Sequence, residues 1–140
     1  YGGFMTNWVI GNTTRFAAAC SQRSISNWVS KCMTTDIGYY FNMDQIKADP
    51  WNSPEKMWQH SPLKYANMAK TPTLFIQSDE DYRCWMGDAI QMFSALKYFG
   101  VEARMCLFHG ENHELSRSGK PKHRIRRMTE MMEWFEKYLK

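Results

Sequence analysis

The spacing of apolar residues predicts a helix followed by a strand at the start of the chain. Four residues recur at helical spacing ahead of the stop signal Gly11-Asn12, which predicts a short helix over residues 2 to 11: Phe4, Met5, Trp8 and Val9. The apolar run from Phe16 to Cys20 has the length of a buried parallel strand, although its three alanines are also compatible with helix.

The second half of the chain repeats strand and helix twice. The predicted elements are a strand over residues 73–76, a helix over 88–99 that ends at Gly100, a strand over 103–108 and a helix from about 123 to 138. The last helix carries an apolar stripe that should pack on the sheet: Ile125, Met128, Met131, Met132, Phe135 and Leu139.

The middle of the chain, from Asn27 to His60, lacks a clear period. Ser53 supplies a capping hydroxyl before Pro54, which predicts a short helix over residues 54–59, and the rest is expected to be a cap or connection over the core. The aromatic residues Trp28, Tyr39 and Tyr40 fit an apolar substrate pocket and core packing about equally well.

Alternating strands and helices indicate an α/β fold with a mostly parallel sheet flanked by helices. Ligands of such sheets bind beyond the carboxyl ends of the strands. Asp81 follows one predicted strand and His113 follows the next, so both are expected at that edge of the sheet.

Composition narrows the class of protein. A length of 140 residues with 44% hydrophobic residues fits one globular domain. The sequence contains no apolar run long enough to span a bilayer and no leader-like start, so we expect a soluble, cytoplasmic protein without a membrane partner. The four cysteines form no C-x-x-C pair, which favours reduced thiols over a zinc site.

The net charge of the chain is +4, and six of its 18 basic residues lie in one run between Arg117 and Arg127. Such a run can bind nucleic acid, but it contains no aromatic residue to stack on bases. A solvated loop and first helical turn is therefore the favoured interpretation, and a nucleic-acid-binding function remains an alternative.

The order of the polar residues matches a serine hydrolase that lacks its serine. These enzymes need serine, then an acid, then histidine, with the serine on a Gly-x-Ser-x-Gly turn before a helix. Tyr1-Gly2 fits the last two positions of that motif, which would place the serine directly before Tyr1. The serines at positions 24, 26, 116 and 118 lie outside such a motif, and Gly110 argues against a helical H-x-x-x-H zinc pair of His109 and His113.

Several stretches in the correct order resemble the carboxy-terminal part of the prolyl oligopeptidase family of serine peptidases: YGGFMTNW, RFAAACSQRSISNW, HSPLKYA, TPTLFIQSDEDYRC and LFHGENHELSRSGKPKHRIRR. The similarity covers nearly the whole chain and is greatest to the acylaminoacyl-peptidase and dipeptidyl-peptidase-like branch. It is weakest between about residues 38 and 58. The resemblance implies an α/β-hydrolase fold, with residues 1–140 as a partial catalytic domain, and no metal or other cofactor.

The resemblance also implies a role for particular residues. The family's acid lies two residues before an arginine, which selects Asp81 over Asp79, and its histidine corresponds to His113. Arg83 corresponds to the arginine that binds a substrate carbonyl. The backbone N–H of Tyr1 would contribute to the oxyanion hole, and Gly2 would allow the first helix to approach the sheet. Ser78 and the pair Cys84-Trp85 depart from the family pattern.

The implied function is hydrolysis of short peptides by acyl transfer through serine. Because the serine, the preceding strands and the family's β-propeller are absent from residues 1–140, we expect the chain alone to be inactive. We expect it to associate with the rest of the catalytic domain or with another copy. An esterase or lipase of the same fold, or a non-catalytic assembly fragment, remains an alternative.

Overall fold

Three parallel strands form the centre of the computed structural model, which describes residues 1–139. They are β1 (Ala19–Gln22), β2 (Thr73–Ser78) and β3 (Ala103–Phe108), arranged in the order β1-β2-β3. Thr73 of β2 is level with Ala19 and with Ala103, so all three strands end at the same edge. The predicted parallel α/β sheet is confirmed.

Seven α-helices and one 3₁₀ helix are present in residues 1–139: α1 (Gly2–Asn12), α2 (Trp28–Thr34), α3 (Gly38–Ile46), α4 (Pro54–Gln59), the 3₁₀ helix (Pro62–Met68), α5 (Met86–Tyr98), α6 (Leu115–Ser118) and α7 (Pro121–Tyr138). None of these helices combines the length and the apolar character that crossing a bilayer requires.

Helices cover both faces of the sheet, so β2 is buried along its whole length. Phe75 points to the face covered by α1, the 3₁₀ helix and α5, where it packs with Met92 and Leu96. Leu74 and its neighbour Ile76 point to the other face and pack with Trp134 of α7. Alternate side chains of a strand point to opposite faces, which explains why three consecutive apolar residues of β2, Leu74 to Ile76, are all buried.

The predicted glycine terminator of α5 is confirmed. Gly100 has a φ of 74° and donates its N–H to Lys97, while Val101 donates to Leu96. This pair of hydrogen bonds is the Schellman arrangement, which uses a left-handed residue to end a helix. The chain then turns directly into β3.

The close approach of α1 to the sheet depends on Gly3 and not on Gly2, so this expectation was wrong. A Cβ on Gly3 would lie 2.2 Å from the carbonyl oxygen of Gln22, whereas a Cβ on Gly2 would have no neighbour within 4 Å. The helix turns Gly3 toward β1 on the same face as Asn7 and Ile10.

The first strand lies further along the chain than predicted. It contains Ser21 and Gln22, and it excludes Phe16, which is exposed. Polar side chains are tolerated here because they are hydrogen-bonded: the Ser21 hydroxyl donates to the Gly3 carbonyl, and the Gln22 side chain accepts from Arg127 at 2.7 Å.

The segment expected to be a cap or connection over the core contains the helices α2 and α3. Asn27 caps α2 by accepting from the N–H of Val29. Pro54 begins α4 as predicted, but Ser53 makes no capping bond and accepts instead from the N–H of Asp49. The sequence pattern did not reveal these short helices because they are stabilised by contacts with the rest of the fold rather than by their own periodicity.

The aromatic residues of this segment divide between core and surface. Trp28 is fully buried between Phe4 and Phe41, with ring centroids 5.3 Å and 6.1 Å away. Tyr39 and Tyr40 are exposed. The three residues singled out in the sequence therefore do not form one cluster.

Only part of the apolar stripe of α7 packs on the sheet. Met131 and Phe135 contact the core beside Trp134. Four residues that were expected to be covered are exposed: Ile125, Met128, Met132 and Leu139. These four side chains therefore lie outside the contact between α7 and the three-stranded sheet.

Candidate active site

Asp81 lies in the turn that follows β2 and is held in one position. Its side chain is 0% exposed, and its Oδ1 atom accepts the backbone N–H groups of Arg83 at 3.0 Å and Cys84 at 2.8 Å. A short acidic residue that bonds the backbone ahead of it is typical of tight turns. The turn therefore directs the second oxygen, Oδ2, away from the main chain.

His113 follows β3 and contacts that second oxygen. The turn begins at Gly110, whose φ of 66° is easily adopted only by glycine. The Nδ1 atom of His113 lies 2.9 Å from Oδ2 of Asp81 and 3.1 Å from Oδ1. The Asp81 carboxylate accepts a hydrogen bond from the N–H at Nδ1, which leaves the lone pair on Nε2 available to a substrate or nucleophile.

The loop around His113 is anchored by Glu111. The buried Glu111 carboxylate accepts from the backbone N–H of Lys120 at 3.0 Å and bonds His123 at 2.5 Å, both at the start of α7. Burial alone would raise the pKa of Glu111, but the bonds from Lys120 and His123 outweigh burial and lower it. Glu80 donates its N–H to the Glu111 carbonyl, which joins this loop to the acid turn.

A second aspartate and histidine pair lies beside the first. Asp79 bonds Nδ1 of His109 at 2.6 Å and the N–H of Gly110 at 2.8 Å. The bond from His109, followed by the one from Gly110, lowers the pKa of Asp79. The His109 side chain is 84% exposed, and within residues 1–139 no three His, Cys, Asp or Glu side chains form a possible metal site.

A cavity of about 550 Å³ lies beside the pair of Asp81 and His113 but not beside the pair of Asp79 and His109. His113 lines this cavity together with Tyr1, Gly2 and Gly3 at the start of α1, whereas His109 does not. The first N–H groups of a helix have no partner within the helix and carry partial positive charge, so they suit a negatively charged oxygen. The structure thus brings Tyr1 and His113 to one site.

Arg83 also lines the cavity, and its orientation is set by Asp36. The Nε and Nη2 atoms of Arg83 each lie 2.9 Å from the Asp36 carboxylate, in a forked pair. Hydrogen bonding to Arg83 lowers the pKa of Asp36 and raises that of Arg83. The Nη1 donors take no part in this pair.

The acid turn is also held by Lys31 of α2. Its side chain is buried, and its ammonium group donates to the carbonyl of Arg83 and lies 5.3 Å from the centre of the Phe41 ring. Burial lowers the pKa of Lys31. The N–H of Asp36 donates to the Tyr82 carbonyl at 2.9 Å, so α2 and the segment after it hold two consecutive residues of the turn, Tyr82 and Arg83.

Sequence reasoning did not identify Asp36, Lys31 or Glu111. Asp36 and Lys31 lie in the segment without a period, and they reach the acid turn across 47 and 52 residues of chain. Glu111 lies inside the Gly110 to His113 motif, so its position next to the predicted histidine was the one available signal.

Comparisons with known proteins agree with this architecture. The model of the Prolyl oligopeptidase family matches residues 1–140. The chain is 47% identical over 139 residues to Uncharacterized peptidase YuxL of Bacillus subtilis (strain 168), a match that includes 99% of this chain. It is 30% identical over 142 residues to Dipeptidyl-peptidase 5 of Schizosaccharomyces pombe, a match that includes 100% of this chain.

The solved structure of Pyrococcus horikoshii acylaminoacyl peptidase is similar over 100% of this chain, with a TM-score of 0.96 and 38% identity. The predicted α/β-hydrolase fold is confirmed by this similarity. The chain spans about a fifth of the length of the proteins it matches: 21% and 20% of the two relatives, and 23% of the solved chain.

Proposed function

The chain belongs to the prolyl oligopeptidase family, and we propose that residues 1–140 are the carboxy-terminal part of the catalytic domain of a serine peptidase that acts on short peptides. One observation carries the proposal: the hydrogen-bonded pair of Asp81 and His113 lies beside a cavity that is shared with the amino terminus of α1. An acid, a base and an anion-binding helix terminus are the parts that acyl transfer needs.

In the proposed mechanism the nucleophile is a serine immediately before Tyr1. Its oxygen bonds to the carbonyl carbon of the substrate while its proton passes to Nε2 of His113, and the carbonyl electrons move onto the carbonyl oxygen. Asp81 keeps the other imidazole proton on Nδ1 and stabilises the imidazolium. The backbone N–H of Tyr1 donates to the oxygen that becomes negative.

Collapse of this intermediate completes the reaction. The C–N bond breaks as His113 returns its proton to the leaving amine, which leaves an acyl group on the serine. Water then attacks the ester, His113 takes a proton from the water, and the serine leaves with that proton. Each step needs Nε2 of His113 to face the cavity, which the bond from Nδ1 to Asp81 supports.

Arg83 favours peptides over simple esters as substrates. Its charge is paired with Asp36, so the fork presents its remaining donors without an excess positive charge. Such a group suits the neutral carbonyl oxygen of a peptide backbone next to the cleaved bond. A simple ester has no carbonyl at that position and would gain nothing from Arg83.

Two of the six basic residues between Arg117 and Arg127 are paired with acids of the same chain. Arg117 is paired with Glu114 and Arg126 with Glu130, and the Arg124 guanidinium donates to the Arg117 carbonyl. Two ion pairs within the chain therefore reduce the charge that this run could offer to a phosphate backbone.

We also propose that the rest of the catalytic domain covers two surfaces of residues 1–139, one an open strand edge and the other an apolar groove. One is the outer edge of β1, which pairs with β2 on its other side. The other is a groove of about 410 Å³ on α7 lined by Met128, Met132 and Leu139. The matched proteins extend well beyond the length of this chain, which supports cover by the same polypeptide.

The test is a substrate panel on the full-length protein that contains this chain. We expect turnover of acylated peptide nitroanilides and labelling of one serine by a fluorophosphonate probe. Exchange of His113 for alanine should abolish both, while His109→Ala serves as the matched control and should leave both unchanged. Residues 1–140 alone should be inactive.

Arg83→Met separates the peptidase from an esterase of the same fold. It should lower kcat/KM for the peptide substrate by about 10- to 100-fold and change ester turnover far less, because only the peptide offers the second carbonyl. Equal losses for both substrates, or full labelling of the His113→Ala variant, would contradict the proposed function.

A further inference from the structure

Arg23 connects the end of β1 to the loop that carries His113. Its Nη1 atom donates to the backbone carbonyl of His113 at 2.9 Å, although the two residues are 90 positions apart in the chain. Its own N–H donates to the carbonyl of Ile76 at 3.2 Å, which continues the pairing with β2 by one residue. Arg23, directly after β1, thus contacts both β2 and the loop that follows β3.

The backbone of Arg23 is in an unfavourable conformation. Its φ is 51°, and within residues 1–139 only Lys47 shares a positive φ among non-glycine residues. The left-handed region costs an ordinary residue about 1–2 kcal/mol. Strained residues persist where the surrounding structure requires them, and they concentrate at functional sites.

Electrostatics add a second cost at Arg23. The nearby Arg127 bonds Gln22, the residue next to Arg23. Burial, followed by the positive charge of Arg23, lowers the pKa of Arg127. A neutral side chain at position 23 would remove this repulsion, yet an arginine is present and lines the cavity beside His113.

We propose that Arg23 is a positioning residue that holds the main chain of His113 so that its imidazole stays aligned between Asp81 and the cavity. The inference rests on the proposed function. Asp81 holds the side chain of His113 through Nδ1, and Arg23 holds its carbonyl. The two contacts therefore hold His113 at its side chain and at its main chain. Without Arg23 the residue can pivot about its bond to Asp81.

A charge-assisted bond to a carbonyl is among the stronger hydrogen bonds of proteins, so its loss should be visible in the rate. In the full-length protein, Arg23→Met should lower kcat about 10- to 100-fold and leave KM within about twofold, because the side chain acts on the base and not on the substrate. Arg124→Met is the matched control: Arg124 also donates to a backbone carbonyl at 2.9 Å, that of Arg117, and should leave kcat unchanged.

Arg23→Gly separates positioning from stability. Glycine accepts a positive φ at no steric cost, so the melting temperature should stay equal or rise while kcat falls as in Arg23→Met. Added guanidinium ion should restore part of kcat in Arg23→Gly. A kcat within twofold of the wild type in Arg23→Met, or a fall in Arg23→Gly that only follows a lower melting temperature, would overturn the proposal.

Hydrogen exchange gives a readout that does not depend on turnover. Amides of the loop from His109 to Glu114 should exchange faster in Arg23→Met than in the wild type and in Arg124→Met. Unchanged exchange would overturn the claim that Arg23 holds this loop. A wild-type protein that hydrolyses no peptide would instead count against the proposed function, while the exchange experiment would still decide the contact.

Discussion

Replacing Asp81 by asparagine tests which of the two aspartate and histidine pairs performs the chemistry. The Oδ1 atom of the asparagine can still accept the N–H groups of Arg83 and Cys84, so the turn should survive. The amide nitrogen then takes the place of Oδ2 and points an N–H at Nδ1 of His113. Nδ1 must accept this bond, which moves the imidazole proton to Nε2.

The size of the effect follows from this change of tautomer. An imidazole with its proton on Nε2 cannot accept the proton of serine, and the same exchange in a comparable triad costs about 10⁴-fold in kcat. We expect a loss of about 10³- to 10⁴-fold in this site, equivalent to roughly 4 to 5.5 kcal/mol in the barrier. The KM should change little because Asp81 is fully buried and does not line the cavity.

The assay is the steady-state hydrolysis of an acylated peptide nitroanilide by the full-length protein. Circular dichroism and a thermal melt would verify that the Asp81→Asn variant is folded. Asp79→Asn is the matched control, because Asp79 bonds the exposed His109 in the same way, and its kcat should stay within about twofold of the wild type. A larger loss in Asp79→Asn than in Asp81→Asn would refute the assignment of the acid.

Three further predictions concern stability and assembly. Gly3→Ala should destabilise the fold by about 3 kcal/mol or more in chemical denaturation because its Cβ would meet the Gln22 carbonyl, whereas Gly2→Ala should be neutral or stabilising; equal effects would contradict the packing. Burial raises the pKa of Asp88 from 3.8 to about 6, so its stabilising contribution is present below the lower value and is lost as the pH rises through the higher one. Relative to Asp88→Asn, the free energy of unfolding should therefore fall by roughly 3 kcal/mol over that interval, and a constant difference would contradict this. Residues 1–140 expressed alone should associate in light scattering because of the open β1 edge and the α7 groove, and a stable monomer would contradict the proposed cover.

Elements with strong local signals were predictable from the sequence. The strand before Asp81 begins with the β-favouring run Thr73 to Ile76, and a glycine follows the end of α5, so both elements were found with errors of only one or two residues. The strand before Arg23 was misplaced because the polar side chains of Ser21 and Gln22 are accommodated by hydrogen bonds to α1 and α7. Local patterns carry no information about such partners.

The same distinction applies to the site. Asp81 and His113 could be identified because each directly follows a strand, and parallel strands end at one edge of a sheet. Chain order and strand direction were therefore enough to bring an acid and a base together. The choice between Asp81 and Asp79 rested on the arginine that follows, and the cavity beside His113 now provides an independent argument for it.

The residues that support the site follow a different logic. Arg23 and Lys31 both bond backbone carbonyls, and Asp36 bonds both a backbone carbonyl and Arg83. A carbonyl is present at every position of the chain, so the residue type of the donor cannot reveal its target. A catalytic pair needs two particular side chains, so both residue types can be recognised in the sequence. A bond to the main chain needs one particular side chain, and the sequence does not show which carbonyl it contacts. Residues that position a catalytic loop through its backbone are for this reason found from contacts, and the positive φ of Arg23 is the kind of local outlier that points to them.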